Sequence, residues 1–354
     1  MEKMPIALKK NKVTQITDVA RLAGVSASAV SAALNNRPQI SAATRERILK
    51  VVEKCNYVPQ RSARTLSSRR SFQLGFLLSS KVTLGLANSY YSLMLAGVSE
   101  VCKQHDYHMM VTTYDLSSLN RFIRPVGAWQ RNVDGIILAG DTDLAVIREL
   151  QAAETPFIVI GGDYPADVLC LRLDVAGTIE EILRYFYCLN HRRILVPYHY
   201  RDTRRIYEQV LAMLAETGQC PDLQVELEFY AGEDEFRVGD TLALHWLQEP
   251  ERFTALIASD QLGIGFLRTL LRHGKSCPQD ISLVTAESSL SSNSVVPMTA
   301  TDDRSYELGK IAAENILALL EKRRTLAEVQ QGLADNFRPA KLIRRESCGP
   351  APNC

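Results

Sequence analysis

The chain runs to 354 residues, 46% of them hydrophobic and 23% charged, a composition ordinary for a soluble globular protein. No apolar run approaches the ~18 residues of a membrane span, and Met1 to Lys12 has lysines but no hydrophobic signal core, which argues against membrane residence and export. The balance of 41 Lys and Arg against 40 Asp and Glu hides an asymmetry: residues 1–70 hold 14 against 4, a net +10, which leaves −9 on the other 284. A small basic unit on a larger acidic one is the footprint of a domain that meets phosphates while the acidic body is repelled by them.

After a start expected to be disordered (1–12), the first helix places Ile16, Val19, Ala20 and Ala23 on one face, the 0, 3, 4, 7 spacing of an amphipathic helix. Gly24 stands where a sharp turn needs a residue without a Cβ, and Val25 is the next apolar plug. Ser26 can cap a second helix, Ala27 to Asn35, whose inward face is Val30, Ala33 and Leu34. A third helix after Ser41 buries Ile48, Val52 and Cys55. Small residues (Ala20, Ala23, Ala33) let the first two helices cross closely, which holds the second proud of the surface for a DNA major groove. A headpiece over 1–58 and a short basic hinge over 59–70 follow from this pattern, the hinge carrying Arg61, Arg64, Arg69 and Arg70 around one large apolar residue, Leu66.

From Ser71 onward, short apolar runs alternate with amphipathic segments. Strands are expected at Leu74–Leu78, Met109–Thr113, Gly135–Ala139, Phe157–Ile160, Leu169–Leu173, Ile194–Pro197, Val225–Phe229, Ala255–Ala258 and Ile281–Thr285. Helices are expected at Tyr91–His105, Leu144–Ala153, Gly177–Leu189, Arg204–Glu216, Phe236–Gln248, Gln261–His273 and Ser305–Lys322. Such alternation implies parallel sheets with helices on both faces, and nine strands are too many for one doubly wound lobe. A two-lobed body over 71–345 with a cleft between the lobes is predicted, followed by a flexible tail over 346–354. The eight cysteines (55, 102, 170, 188, 220, 277, 348, 354) never fall in a Cys-x-x-Cys spacing and read as reduced packing residues, which fits the cytoplasm.

The string Thr17-Asp18-Val19-Ala20-Arg21-Leu22-Ala23-Gly24-Val25-Ser26, the later Asn56-Tyr57-Val58-Pro59-Gln60-Arg61-Ser62-Ala63-Arg64-Thr65-Leu66 and the closing Pro339-Ala340-Lys341-Leu342-Ile343-Arg344-Arg345-Glu346-Ser347 resemble the lactose-repressor/galactose-repressor family of bacterial transcriptional regulators. The resemblance implies an α/β chain with an all-α helix-turn-helix headpiece and a doubly wound parallel-sheet body of the periplasmic-binding-protein type, the chain crossing between lobes three times. It implies a cytoplasmic homodimer, a repressor, on a palindromic double-stranded DNA operator. DNA contacts are implied at Ile16, Thr17, Ser26, Ala27, Ser28, Ser31, Asn35, Ser41, Thr44, Tyr57, Gln60, Ala63, Arg64 and Leu66. Ala27 and Ser28 would meet base edges, and paired hinges would wedge Leu66 into a minor-groove step. Many family members have Thr and Arg where this chain has Ala29 and Ala32, so its readout would rest on hydroxyls and on methyl contacts to thymine.

In the body, Asn88-Ser89-Tyr90-Tyr91 resembles the family's loop that places an aromatic ring at the cleft, and Arg205 matches an effector-facing arginine. Ser259-Asp260 stands for an Asn-Asp motif and Glu287 for an effector-binding aspartate. Tyr91, Arg205, Asp260 and Glu287 could hold a sugar or related metabolite by charge-assisted hydrogen bonds and an aromatic face, although Asp260 could equally be a helix cap. No motif for a cofactor, a metal or an enzymatic nucleophile is present: Gly263-Ile264-Gly265 is too short for a nucleotide cradle, Glu233-Asp234-Glu235 reads as a solvated turn, and His191 as structural. The alternative reading is a small-molecule-binding module with weak or no specific DNA binding.

Overall fold

The computed structural model describes residues 15–34, 38–55, 57, 70–82, 85–116, 132–153, 156–199, 201–231 and 234–352, the side chains of 201 and 202 excepted. It divides into two compact units, Met1–Ser71 and Phe72–Cys354. The predicted hinge as far as residue 69, with Gln60, Ala63, Arg64 and Leu66, lies outside the described residues, as does Asn35.

The first unit holds α1 (Ile16–Ala23), α2 (Ala27–Leu34) and α3 (Ala42–Lys54). Of the set the periodicity predicts, Val19, Val30 and Ile48 are fully buried and Ala20, Ala23 and Ala33 nearly so, whereas Ile16, Leu34, Val52 and Cys55 are half-buried against them. Gly24 ends α1 in the left-handed region (φ 61°), with Val25 N–H donating to Ala20 O, a closure that a residue with a Cβ would strain.

The second unit contains two sheets. The first has the order β2-β1-β3-β4-β5, from β1 (Gln73–Ser79), β2 (His108–Tyr114), β3 (Gly135–Ala139), β4 (Phe157–Ile160) and β5 (Cys170–Leu171). The second has the order β11-β10-β9-β8-β6-β7, from β6 (Arg193–Tyr198), β7 (Gln224–Phe229), β8 (Ala255–Ile257), β9 (Ser282–Ala286), β10 (Thr299–Asp302) and β11 (Lys341–Ile343). Every pairing is parallel except β10 with β11. Along β1, Leu74, Phe76 and Leu78 face one apolar cluster while Leu77 faces another, so the period of two buries both faces of the sheet.

The helices of this unit are α4 (Ser89–Gln104), α5 (Leu144–Ala152), α6 (Val175–Cys188), α7 (Arg201–Glu216), α8 (Glu235–Gln248), α9 (Asp260–Arg272), α10 (Ser289–Ser292), α11 (Ser305–Leu320) and α12 (Leu326–Ala334). Asn88, Asp143, Asp174, Asp234 and Ser259 each stand at an N-cap and accept a backbone N–H of the first turn, which fixes where α4, α5, α6, α8 and α9 begin. Each lobe contains one very close helix crossing. A Cβ on Gly309 of α11 would fall 2.0 Å from Met94 O of α4, and one on Gly97 equally near Tyr306 O. In the other lobe a Cβ on Gly239 of α8 would fall 2.1 Å from Leu262 O of α9, and one on Gly265 at the same distance from Phe236 O. Gly265 is therefore a packing glycine.

The chain crosses between the lobes three times: from β5 to α6, from β10 to α11, which packs on the first sheet, and from α12 to β11. The nine expected strands are all present, Leu169–Leu173 shortened to β5, and β10 and β11 join them. The expected helices are present too, whereas α10 and α12 were not anticipated.

The tail is a correction. Far from flexible, Ser347 is fully buried, its Oγ accepting from Thr299 N at 2.8 Å and donating to Leu283 O. Ala351 N–H donates to Leu189 O at 2.7 Å. The segment has no apolar periodicity because polar hydrogen bonds to β9, β10 and the end of α6 hold it. The described cysteines are all free thiols, and burial pushes those of Cys102 and Cys170 up to about 11.

Candidate functional site

In the first unit the exposed surface gathers at the start of α2. Ser26 Oγ accepts from Ala29 N at 3.2 Å and shares a hydrogen bond with Ser28 Oγ at 2.8 Å, so the cap that starts the helix also orients the hydroxyl next to it. Ser26 and Ser28 are exposed, Ala27 and Ser31 half-buried, and Val30 and Ala33 face inward. The helix carries no charged side chain, so what it offers a partner is hydroxyls and methyl groups. Ser41 caps α3, accepting from Thr44 N at 3.3 Å and donating to Thr44 Oγ1 at 2.9 Å, which ties two expected contact residues to each other. Ile16 is half-buried against the core and Thr17 exposed, both in the first turn of α1. Tyr57 is corrected: at 6% exposure its ring belongs to the headpiece core, closing over α3 where its N–H donates to Val52 O.

None of the four candidate ligand residues of the body lines the cavity described below. Asp260 is the first residue of α9, 6% exposed, and its Oδ2 accepts from Ser89 Oγ of the other lobe at 2.8 Å. The cap of α9 is Ser259, so Asp260 spans the cleft rather than capping a helix. Glu287 is corrected: both its oxygens are engaged by Arg345, at 2.7 and 2.8 Å, and Arg345 also donates to Met298 O at 2.8 Å. That bidentate pair pins the closing segment to the end of β9 and leaves Glu287 a poor ligand group. Arg205 is exposed on α7, apart from the cavity described next. Tyr91 is corrected too. It packs edge-on against Tyr90, with centroids 5.0 Å apart, and it is Tyr90 whose ring lines a cavity, because neighbouring residues on a helix diverge by ~100°.

That cavity, about 240 Å³, sits where all three crossings meet. Asp174 and Thr178 line it from the first crossing, Asp303 and Arg304 from the second, Arg338 from the third and Tyr90 from α4. Burial, with Asp302 beside it, raises the Asp303 carboxyl to about 6. Burial and then the neighbouring Arg338 lower the Arg304 guanidinium from its ordinary value.

A second polar cluster stands at the C-terminal edge of the second sheet, and the sequence reading missed it. His199 Nδ1 hydrogen-bonds Tyr230 OH at 2.7 Å, Tyr230 OH donates to Glu235 Oε1 at 3.1 Å, and Ser259 Oγ donates to Glu235 Oε2 at 2.6 Å. Burial lowers the His199 pKa against the opposing pull of Glu235. Glu235 is 8% exposed, which overturns the solvated turn expected for the acidic run, at least for this member. A His, a Tyr and a Ser directly after three successive strands was the available signal. His191, by contrast, is structural as expected: fully buried, bonded to Thr254 Oγ1 at 2.8 Å, Ser282 Oγ at 2.9 Å and Gly349 O at 3.1 Å.

Among the described residues no cluster of three His, Cys, Asp or Glu is arranged to hold a metal ion, and no helix is long and apolar enough to cross a membrane.

Comparison with known proteins gives a consistent picture for both units. The pattern described as bacterial regulatory proteins, lacI family, matches residues 15–60, and that of a periplasmic binding protein-like domain matches 183–348. The HTH-type transcriptional regulator AglR of Rhizobium meliloti is 27% identical, covering 99% of this chain and 96% of its own. Catabolite control protein A of Streptococcus mutans is 24% identical over 87% and 91%. Among solved structures, the lac repressor dimer bound to operator and the anti-inducer ONPF superposes with a TM-score of 0.74 at 22% identity, covering 96% of this chain and all of that one.

Proposed function

The chain belongs to the lacI family of bacterial regulatory proteins, and we propose on that footing that it is a repressor, a homodimer on a palindromic operator whose grip a small effector in its body controls. It is a sequence-specific DNA-binding transcriptional regulator. The observation that carries the reading is the start of α2: two exposed serine hydroxyls and an alanine methyl, fixed by the Ser26 cap, on a helix whose other face is locked into the core. With no arginine to read guanine, the major-groove share of specificity falls on thymine methyls and hydroxyl contacts, and the rest on the hinge, where Leu66 would wedge a flexible pyrimidine–purine step. The net +10 of residues 1–70 supplies phosphate affinity. Relatives that are regulators rather than catalysts support a non-enzymatic role in the cytoplasm.

Selection from randomised duplexes with the full chain tests this. Enrichment of one palindrome, with binding that falls steeply as salt rises, is expected. Enrichment of no sequence overturns it and leaves a small-molecule-binding module. Leu66→Ala is expected to weaken specific binding while sparing the non-specific mode.

A further inference from the structure

We propose that the cavity at the three crossings receives the oxyanion of a small acidic sugar, held by Arg304 and Arg338. The inference rests on the reading of the body as an effector receiver and specifies the chemistry of what it receives. The first support is charge. Arg304 and Arg338 bring two guanidinium groups from two different crossings to the lining of one cavity, and planar guanidinium groups are the side chains best suited to a carboxylate or phosphate. The second is geometry. Two helices begin at residues that line this cavity, α6 after Asp174 and α11 after Arg304, so the positive ends of both dipoles lie beside it. The cap of α11 is Arg304 itself, in the left-handed region (φ 57°), and its side chain contributes no oxygen to the N–H groups of that first turn. A ligand oxyanion can satisfy both the guanidinium and the helix start.

The carboxylates nearby do not take this place. Asp174 Oδ1 accepts from Gly177 N at 2.8 Å and Asp302 Oδ1 from Arg304 N at 2.7 Å, so both face backbone donors. Glu307, in the first turn of α11, is exposed. Asp303 lines the cavity, and burial raises its carboxyl toward neutrality, which lessens its repulsion of a ligand anion. The volume of about 240 Å³ falls below the ~300–1,000 Å³ of drug-sized sites and suits one sugar ring, with Tyr90 offering an aromatic face. Because all three crossings line the cavity, a ligand bridging Arg304 and Arg338 ties together the segments that must bend when the lobes move.

The test is calorimetric titration of the full chain with hexuronates and aldonates in one arm and hexose 6-phosphates in the other, each beside its neutral parent sugar. At least one acid is expected to bind about ten- to a hundredfold more tightly than its parent, the arm naming carboxylate or phosphate. Arg304→Gln and Arg338→Gln are each expected to lose about that factor, while Arg304→Lys retains part of it; melting of the unliganded variants checks their folding. Neutral sugars binding as well as their acids, variants binding the acid as tightly as the native chain, or no acid binding at all would each overturn the proposal. Operator binding measured on the same preparations reports separately on the regulator reading. Binding of neutral sugars alone leaves an effector receiver standing and removes only the anion.

Discussion

The two lobes of the body share a plan and differ at its edge. Each is a sheet of parallel strands, closed in lobe two by the antiparallel β11, and each has one helix pair drawn together through facing glycines. At the ends of the strands, however, lobe one turns on backbone, with Gly140 at φ 85° and Gly161 at φ 82°. Lobe two instead ends its strands in bonded side chains: His199, Tyr230 and Ser259 linked through Glu235, and Glu287 paired with Arg345. The frame is common and the chemistry is not. One lobe turns on glycine backbone at its strand ends, the other on side chains that bond one another or the closing segment.

The sameness of the frames is the claim easiest to break. Gly309→Ala in lobe one and Gly239→Ala in lobe two each force a Cβ to about 2 Å from a facing carbonyl oxygen. Each is expected to cost about 3 kcal/mol by overpacking, although alanine is the better helix former by ~1 kcal/mol. Urea denaturation reads this, and a neutral or stabilising result in either lobe would end the parallel. The difference between the lobes is sharpened by Glu287→Ala, which strands Arg345, whose side chain is only 19% exposed. A loss of about 2 kcal/mol is expected, less than for a fully buried pair, and a cycle with Arg345→Ala should show the two effects to be non-additive.

His191 adds a pH dependence confined to lobe two. Burial holds its folded pKa below the ordinary 6.5, so below that pH the unfolded chain binds a proton that the folded chain refuses. Stability is expected to be full above pH 6.5 and to decline as pH falls from there toward the folded pKa. Denaturation at a series of pH values should find that decline shallower in His191→Gln; equal slopes would show that His191 is not its source. The smallest effect concerns the joint between lobes. Ser89→Ala removes the hydrogen bond to Asp260 and is expected to cost about 1 kcal/mol, visible as faster amide exchange around the start of α4 and α9.

Most of the frame was legible in the residues. The spacing of Ile16, Val19, Ala20 and Ala23, the helix starts at Ser26 and Ser41, and the apolar runs of β1, β3, β4 and β6 are local signals, and local geometry answers to them. What failed was whatever depended on a distant partner. Tyr57 resembled a surface contact until the headpiece core closed over it, and Glu287 a ligand until Arg345, 58 residues further on, reached it. The tail lacked periodicity because its bonds run to Leu283 and Leu189 rather than along itself. Tyr90 and Tyr91 differ only in helix phase, which the Asn88 cap fixes.

Helix, strand and turn are largely short-range matters, decided by which neighbours a side chain has a few residues away, and so most of the order of elements, the basic headpiece and the pair of lobes could be written down from the letters alone. The convergence of Arg304, Arg338, Asp303 and Tyr90 on one cavity could not, since those residues meet only after the chain has crossed between lobes three times. Charge and hydrogen bonding act through space, and only folding sets the distances over which they act.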